Sequence, residues 1–421
     1  MKLNLAIGLG LVAGLLLGLA AAITGSDALM RVSLALQPLG DAFVNLLKMV
    51  VIPLVTSVIF VGVARLGDLR TVGRLGAGTL VFFAGTTVVS VLLGMGVMQT
   101  MLPWASESAA QVVGAGTTEA PALPGPIEFL LGLIPSNPFA AASADRLLPL
   151  VVFTVLLSAA TGTLPHDQRE PLLAFADALA AALVKLVHWI LLIAPVGVFA
   201  LAAPVTAQAG WAILKSLGVF VLAVLVGEIV FVTAVYVPLV RFLGRLSIGR
   251  FARGAATPQM IAATTVSSAA TVPAMLEACE DHLAVTRPVA GFVVSLGAGI
   301  GRAGSALFQG AGIVFLAWLY GTPIPLSAVA GVLLATMIVS FTVPGIPGGS
   351  VLSMAPALGS VGIPLEGLGV LLGVDRIPDM ARTATNVTGT LAATVVLDQM
   401  QPSSDVRRPS SEADALTSDD G

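Results

Sequence analysis

Five polar side chains near the end of a very apolar chain fall on one helical face: Asp375, Asp379, Arg382, Asn386 and Thr390, in VDRIPDMARTATNVTGT. Their spacing of four, three, four and four residues, at about 100° per residue, confines them to a narrow stripe. Two carboxylates, a guanidinium, an amide and a hydroxyl on one face are groups that bind a small charged solute. Asp379 and Arg382, one turn apart, would also serve as an ion-pair ladder locking two helices together. That arrangement leaves Asn386 without a task.

The surrounding sequence makes these charges costly. Of 421 residues, 57% are hydrophobic and only 10% charged, with a mean hydropathy of +0.99. Such a composition demands a bilayer as solvent and predicts an all-α polytopic membrane protein. An ion within the bilayer opposes insertion by roughly 2.5–3.5 kcal/mol on insertion scales, so such residues face a cavity and act there. The remaining signals exclude classes. One cysteine, Cys279, forbids an internal disulfide, and His166, His188 and His282 have no metal-ligand spacing. A net charge of −3, diluted by apolar sequence, points away from nucleic acid. Ser267 and Ser268 have no histidine placed to activate them as nucleophiles. GIGRAG (299–304) fits a dinucleotide fingerprint, yet no strand precedes it. No enzymatic activity and no cofactor are expected.

The elements that must position the stripe follow from the apolar runs. Spans are expected near residues 4–24, 38–63, 75–102, 147–163, 172–203 and 211–243, the first being long enough for a retained span. Arg65, Arg70 and Arg74 follow the second, and Arg241, Arg245, Arg250 and Arg253 the sixth; both clusters are expected to be cytoplasmic. The stretch from Pro103 to Pro126 lacks Lys and Arg and reads as a flexible external loop. The polar tail after Met400 reads as a disordered cytoplasmic end. After residue 250 the pattern changes. Ile261–Glu277 and Ala328–Val361 are apolar at their flanks but interrupted by TTVSSAATVP (264–273) and VPGIPGGS (343–350). Each precedes a long apolar segment, 285–318 and 366–399. Paired broken segments in two halves point to a midplane transporter site, because irregular backbone survives at that depth only when shielded or lining water. Both are expected to be re-entrant helical hairpins, one entering from each side.

On these residues the chain resembles the dicarboxylate/amino acid:cation symporters, a family that includes glutamate transporters. KMVVIPLVTSVIFVGVARLGDLRTVGRLG (48–76) is similar to the family's second span and IAPVGVFAL (193–201) to its fifth. SSAATVP (267–273) and GIPGGS (345–350) match its hairpin tips, and DRIPDMARTATNVTG (375–389) its last span. The resemblance implies eight transmembrane helices plus two opposed hairpins in an inverted-repeat, elevator-type fold, assembled as a homotrimer in the cell membrane with both termini cytoplasmic. It divides the chain into scaffold helices (1–74 and 147–210), a transport-domain helix (75–102), an external loop (103–146), a transport domain (211–399) with hairpins near 250–282 and 327–363, and a tail (400–421). It also implies roles. Arg382 would grip a substrate's distal carboxylate, a task suited to a planar bidentate donor, and Asp379 would receive an α-ammonium group. Asn386 and Ser305 would contact substrate; Ser267, Ser268 and the backbone of Ile346 to Gly349, including Gly348, would cap the α-carboxylate. The implied cargo is aspartate or glutamate, since a plain dicarboxylate would leave Asp379 unpaired in a dry site.

The departures bear on the coupling ion. Sodium-coupled members supply acidic oxygen ligands where this chain has Ala303 and Thr390; Gly301 replaces an asparagine, and Arg302 adds a cation. Thr86 and Thr87 keep their hydroxyls, with Phe83 nearby. Arg302 is therefore expected to stand in for sodium by pairing with Asp375, leaving transport sodium-independent and driven by protons or run as exchange. Open alternatives are a sodium- or proton-coupled carrier of dicarboxylates or neutral amino acids, and a substrate-gated channel, in which the stripe would line a continuous pore.

Overall fold

In a lipid-embedded chain every backbone N–H and C=O must find its partner within the protein, and helices do this segment by segment. The computed structural model describes residues 2–66, 73–114, 131–132, 134–144, 147–340 and 348–401, and these residues are helical throughout apart from short connections. The helices are α1 (Lys2–Thr24), α2 (Asp27–Ala35), α3 (Gln37–Leu66), α4 (Gly73–Met101), α5 (Glu107–Gly114), α6 (Pro138–Ser143), α7 (Leu147–Gly162), α8 (His166–Leu192), α9 (Ala194–Ala209) and α10 (Trp211–Phe231). Beyond them come α11 (Ile248–Thr265), α12 (Val272–Asp281), α13 (Arg287–Ile300), α14 (Ala303–Leu319), α15 (Leu326–Ser340), α16 (Gly349–Leu352), α17 (Ala355–Ser360), α18 (Gly367–Val374) and α19 (Arg376–Gln399). Among the described residues, five stretches are long and apolar enough to cross a membrane: Ala6–Thr24, Leu75–Trp104, His166–Ile190, Trp211–Leu243 and Arg287–Leu319.

Four expected segments are divided differently, one of them 366–399, which is α18 and α19 parted at Asp375. The run 172–203 is two helices, parted at Ile193 with a proline in the first turn of α9. Proline lacks the N–H that a first turn leaves unused, so it starts a new helix where hydropathy shows one apolar stretch. The run 285–318 is likewise two helices, parted at Gly301 and Arg302. The stretch expected as a loop from Pro103 begins with a 3-10 turn, Leu102–Trp104, and then α5. Its Ala109 is buried, and the Ser106 N–H donates to Ser216 Oγ of α10 at 3.1 Å. Residues 115–130, the arginine-bearing segment 67–72 and the tail from 402 lie outside the described residues.

Packing sorts the helices into two groups. α1, α2, α3, α7, α8 and α9 pack mainly on one another, while α4, α10 and most helices from α11 onward form the other group, with α18 packed against both. Small residues set the closest approaches. Side chains at Gly10, Gly14 and Gly18 of α1 would collide with the carbonyls of Pro195, Phe199 and Ala203 in α9, a seam of glycines spaced by four that lets two backbones touch. In the second group α14 is buried along nearly its whole length, as is α19 from Pro378 to Asp398. The stripe therefore sits at the centre of the second group rather than against lipid.

Both interrupted segments are broken into shorter helices. α11 stops at Val266, whose φ of 53° and ψ of 39° place it in the left-handed region. That conformation is costly for a β-branched residue and ends the helix there. A 3-10 turn at Ala269–Thr271 then leads into α12, which packs against α11. In the second segment α15 ends at Ser340, and the chain resumes at Gly348 with φ of 71°. Ile346 lies outside the described residues.

Candidate functional site

Every member of the stripe is buried: Asp375, Asp379, Arg382, Asn386 and Thr390. Arg382 is 1% exposed and binds two carboxylates of its own helical run. Nη1 and Nη2 donate to the two oxygens of Asp375 at 2.5 and 3.1 Å, and Nη2 lies 2.8 Å from Asp379 Oδ1. The guanidinium carbon also lies 4.5 Å from the centroid of the Phe308 ring on α14, a distance for cation–π attraction. One fixed cation thus sits between two fixed anions and an aromatic face. The geometry corrects one expectation. Asp375 pairs with Arg382 and not with Arg302, whose Nε donates to the Gly299 carbonyl at 3.3 Å. Two turns of helix separate Asp375 from Arg382, and a long arginine folded back toward the helix start spans that distance. Arg302 remains within electrostatic reach of Asp379.

Asn386 has a specific structural task. Its Oδ1 accepts from the Gly304 and Ser305 N–H groups at 2.9 and 3.3 Å, and its Nδ2 donates to Ser305 Oγ at 3.2 Å. These amides open α14, where Arg302 supplies no side-chain cap. A residue on α19 therefore performs across the interface the work that a local N-cap does elsewhere. Gly304 makes this possible, since a side chain there would strike the Arg382 carbonyl. The break at Gly301–Arg302 is in this way stitched to the stripe.

The expected hydroxyls are placed unevenly. Ser305 joins Asn386 as described. Thr390 donates to the Asn386 carbonyl at 3.1 Å and packs with Phe83 against Gly297 and Gly301, leaving no room for a side chain at either glycine. Thr86 donates to the Phe82 carbonyl at 2.8 Å, and Thr87 is buried beside it on α4. Ser267 Oγ accepts from the Ala270 N–H at 3.2 Å within its own turn, and Ser268 Oγ is buried without a partner among the described residues. Among the described residues neither serine bonds to the stripe. Gly348 abuts Leu372 of α18.

Two polar residues were not anticipated. Gln309 on α14 donates from Nε2 to the Ser350 carbonyl at 3.1 Å and to Ser353 Oγ at 2.6 Å, tying α14 to the second interrupted segment. Glu228 on α10 is 3% exposed, with the Thr385 hydroxyl and the Arg382 guanidinium acting on it. It is the one acid between Trp211 and Leu243, and an ionisable group within a span is a signal in its own right.

The arrangement of buried opposite charges around broken helices agrees with comparisons to known proteins. The sequence model of the "Sodium:dicarboxylate symporter family" matches residues 3–400. The chain is 35% identical over 370 residues to a "Proton/glutamate-aspartate symporter" of Escherichia coli strain K12, covering 86% of this chain and 84% of that protein. It is 30% identical over 399 residues to a "Proton/sodium-glutamate symport protein" of Geobacillus stearothermophilus, covering 93% of each. It is also 31% identical over 381 residues to a "C4-dicarboxylate transport protein" of an Anaeromyxobacter strain, covering 89% of this chain and 86% of that protein. The chain belongs to the sodium:dicarboxylate symporter family and is a polytopic membrane transporter, not an enzyme.

Proposed function

We propose that this secondary transporter carries aspartate or glutamate, and that the substrate's charged ends exchange for ion pairs already present around Arg382. The observation that carries this reading is the buried guanidinium held by Asp375 and Asp379. A substrate carboxylate entering at Arg382 replaces Asp375 or Asp379 as its partner, and the ammonium group compensates the aspartate released. Arg302 and the start of α14 add positive potential on the same side. The α-carboxylate meets the turns around Ser267, Ser268 and Gly348. Two relatives carry glutamate or glutamate-aspartate in their names.

Alternating access follows from two re-entrant hairpins, α11 with α12 and the segment from α15 to α17, opposed across the site. Counting α8 with α9, α13 with α14 and α18 with α19 as bent spans gives eight transmembrane segments beside them. The first packing group is the scaffold of a homotrimer, the second the moving transport unit, and the arginine clusters set both termini in the cytoplasm. Sodium coupling by acidic ligands is disfavoured by Ala303 and Thr390 and by the Phe83 ring packed against Thr390, Gly297 and Gly301. Protons or exchange are the alternatives.

A dicarboxylate is the second reading, and one observation favours it: Asp379 already has Arg382 as partner, so it does not depend on an ammonium group for neutralisation. A thermal-stability screen of purified protein with aspartate, glutamate and succinate, each with and without sodium, separates the readings. Aspartate is expected to stabilise the wild type in sodium-free buffer and to do nothing for Arg382→Ala. Stabilisation by succinate alone would overturn the amino-acid assignment.

A further inference from the structure

Glu228 is a buried ionisable group that the binding scheme leaves unused. It is the eighteenth of 33 residues in the span Trp211–Leu243, so at 1.5 Å per residue about 25 Å of helix lies on one side of it and roughly as much on the other. Its carboxyl is at mid-span, 3% exposed, and among the described residues neither oxygen has a hydrogen bond of full geometry. The Thr385 hydroxyl is the group nearest to bonding it, the Arg382 guanidinium acts on it, and its charge acts on Tyr236 of the same span. Tyr236 in turn packs its hydroxyl against Gly389 of α19. Glu228 therefore addresses the same guanidinium as the stripe, from a different helix.

We propose that Glu228 is the proton-carrying group of the transport cycle, taking up one proton from solution when substrate binds and returning it to solution on the far side when substrate leaves. This rests on the acidic-substrate reading above. The charge balance favours it. Arg302 and Arg382 offset Asp375 and Asp379, and the half-buried Arg376 at the start of α19, which also acts on Asp379, is screened by solvent, so the dry part of the site is closest to neutral when Glu228 holds a proton. An aspartate or glutamate substrate brings one net negative charge. If Glu228 were ionised as well, two uncompensated negative charges would share a site without water, where like charges oppose each other's ionised forms. Substrate and proton therefore favour each other's binding, and linkage makes the effect reciprocal. Other charges are remote or absent on the elements packed against α10. α9 carries none, α4 has only Arg74 in its first turn, and α5 has Glu107. α14 has Arg302 at its start, and α19 has Asp379 and Arg382 on the facing stripe, with Arg376 and Asp398 at its ends. On its own span Lys215 and Arg241 are each thirteen residues distant, about 20 Å along the helix.

The test uses full-length protein in liposomes, with Glu228→Gln keeping shape and removing the proton site. Wild type is expected to accumulate aspartate in response to an acid exterior, about tenfold per pH unit for one coupled proton. Glu228→Gln is expected to keep aspartate counterflow but to lose acid-driven accumulation and the pH dependence of counterflow. Acid-driven accumulation by this variant at the wild-type level overturns the proposal. If Glu228→Gln yields no folded protein, Thr385→Val decides the matter: removing the hydroxyl acting on Glu228 is expected to shift the pH midpoint of counterflow, and an unchanged midpoint counts against it. Absence of any aspartate or glutamate counterflow in wild type would instead sink the substrate reading.

Discussion

Arg382 has two carboxylate partners within its own helical run, so any anion that binds there competes with intramolecular pairs. Asp375 makes the bidentate contact and is the stronger competitor. Asp375→Asn is therefore expected to have opposite effects on the empty and loaded protein. The empty form loses stability, because a buried cation gives up one of two counter-charges, and breaking a buried pair costs about 3–5 kcal/mol when no second partner exists. The aspartate-induced rise in Tm becomes larger than in wild type. Thermal unfolding with and without aspartate measures both; an unchanged or smaller rise would mean that substrate does not displace Asp375. Asn386 tests a different idea. Asn386→Leu removes three hydrogen bonds at the start of α14, and at the values measured for polar contacts in membranes this costs about 1–3 kcal/mol. A Tm equal to wild type would show that the break at Arg302 does not depend on this cap. Helical periodicity made the stripe legible as a face, but periodicity says nothing of which partner a long side chain selects. Arg302 and Arg382 were equally near Asp375 by type, and only the fold shows Arg382 taking it.

At the scale of helices, close approach is governed by residues that lack a side chain, and α4 contains its own control. A methyl at Gly94 would collide with the Leu307 carbonyl of α14, whereas Gly96, two residues on, has nothing within 4 Å. Gly94→Ala is expected to force α4 and α14 apart at a cost of about 1–3 kcal/mol. Gly96→Ala should be neutral or stabilising by about 0.5–1 kcal/mol through helix propensity. Unfolding of both variants in the same detergent checks the pair, and equal stabilities would remove the case for a glycine-mediated contact. One break was legible because its cause is chemical: the Ser- and Thr-rich stretch around Val266 announces an interruption, whereas the division at Gly301–Arg302 was hidden within an apolar run. The division at Ile193 was not legible from hydropathy, because both flanks are apolar and only the direction of the chain changes. The four-residue glycine spacing on α1 was present in the sequence, and it marks the α1–α9 seam.

Across the whole molecule, the two packing groups meet chiefly where α18 lies against α1 and α9, and where α17 lies against α7. Gly373 of α18 is close-packed there, and a Cβ at that position would come within 3.2 Å of Val198 Cγ1 on α9. If the groups slide past each other during transport, this contact must break in every cycle. Contacts within a group, such as Gly40 of α3 against Leu201 of α9, where a Cβ at Gly40 would come within 3.0 Å of Leu201 Cγ, must persist. Cys279 is the one native thiol and is buried, so a Cys279→Ser background isolates engineered pairs. In Val198→Cys with Gly373→Cys, one sulfur can take the place of Val198 Cγ1, 3.2 Å from the Cβ at position 373, which is within reach of a disulfide. Oxidation of this pair is expected to abolish aspartate counterflow in liposomes while leaving aspartate-induced thermal stabilisation intact, because the site lies wholly within one group. Gly40→Cys with Leu201→Cys, both within the first group and with a sulfur able to take the place of Leu201 Cγ, is expected to cross-link without loss of flux. Full counterflow in the oxidised Val198 and Gly373 pair would mean that the two groups move as one body and that access does not depend on their sliding apart.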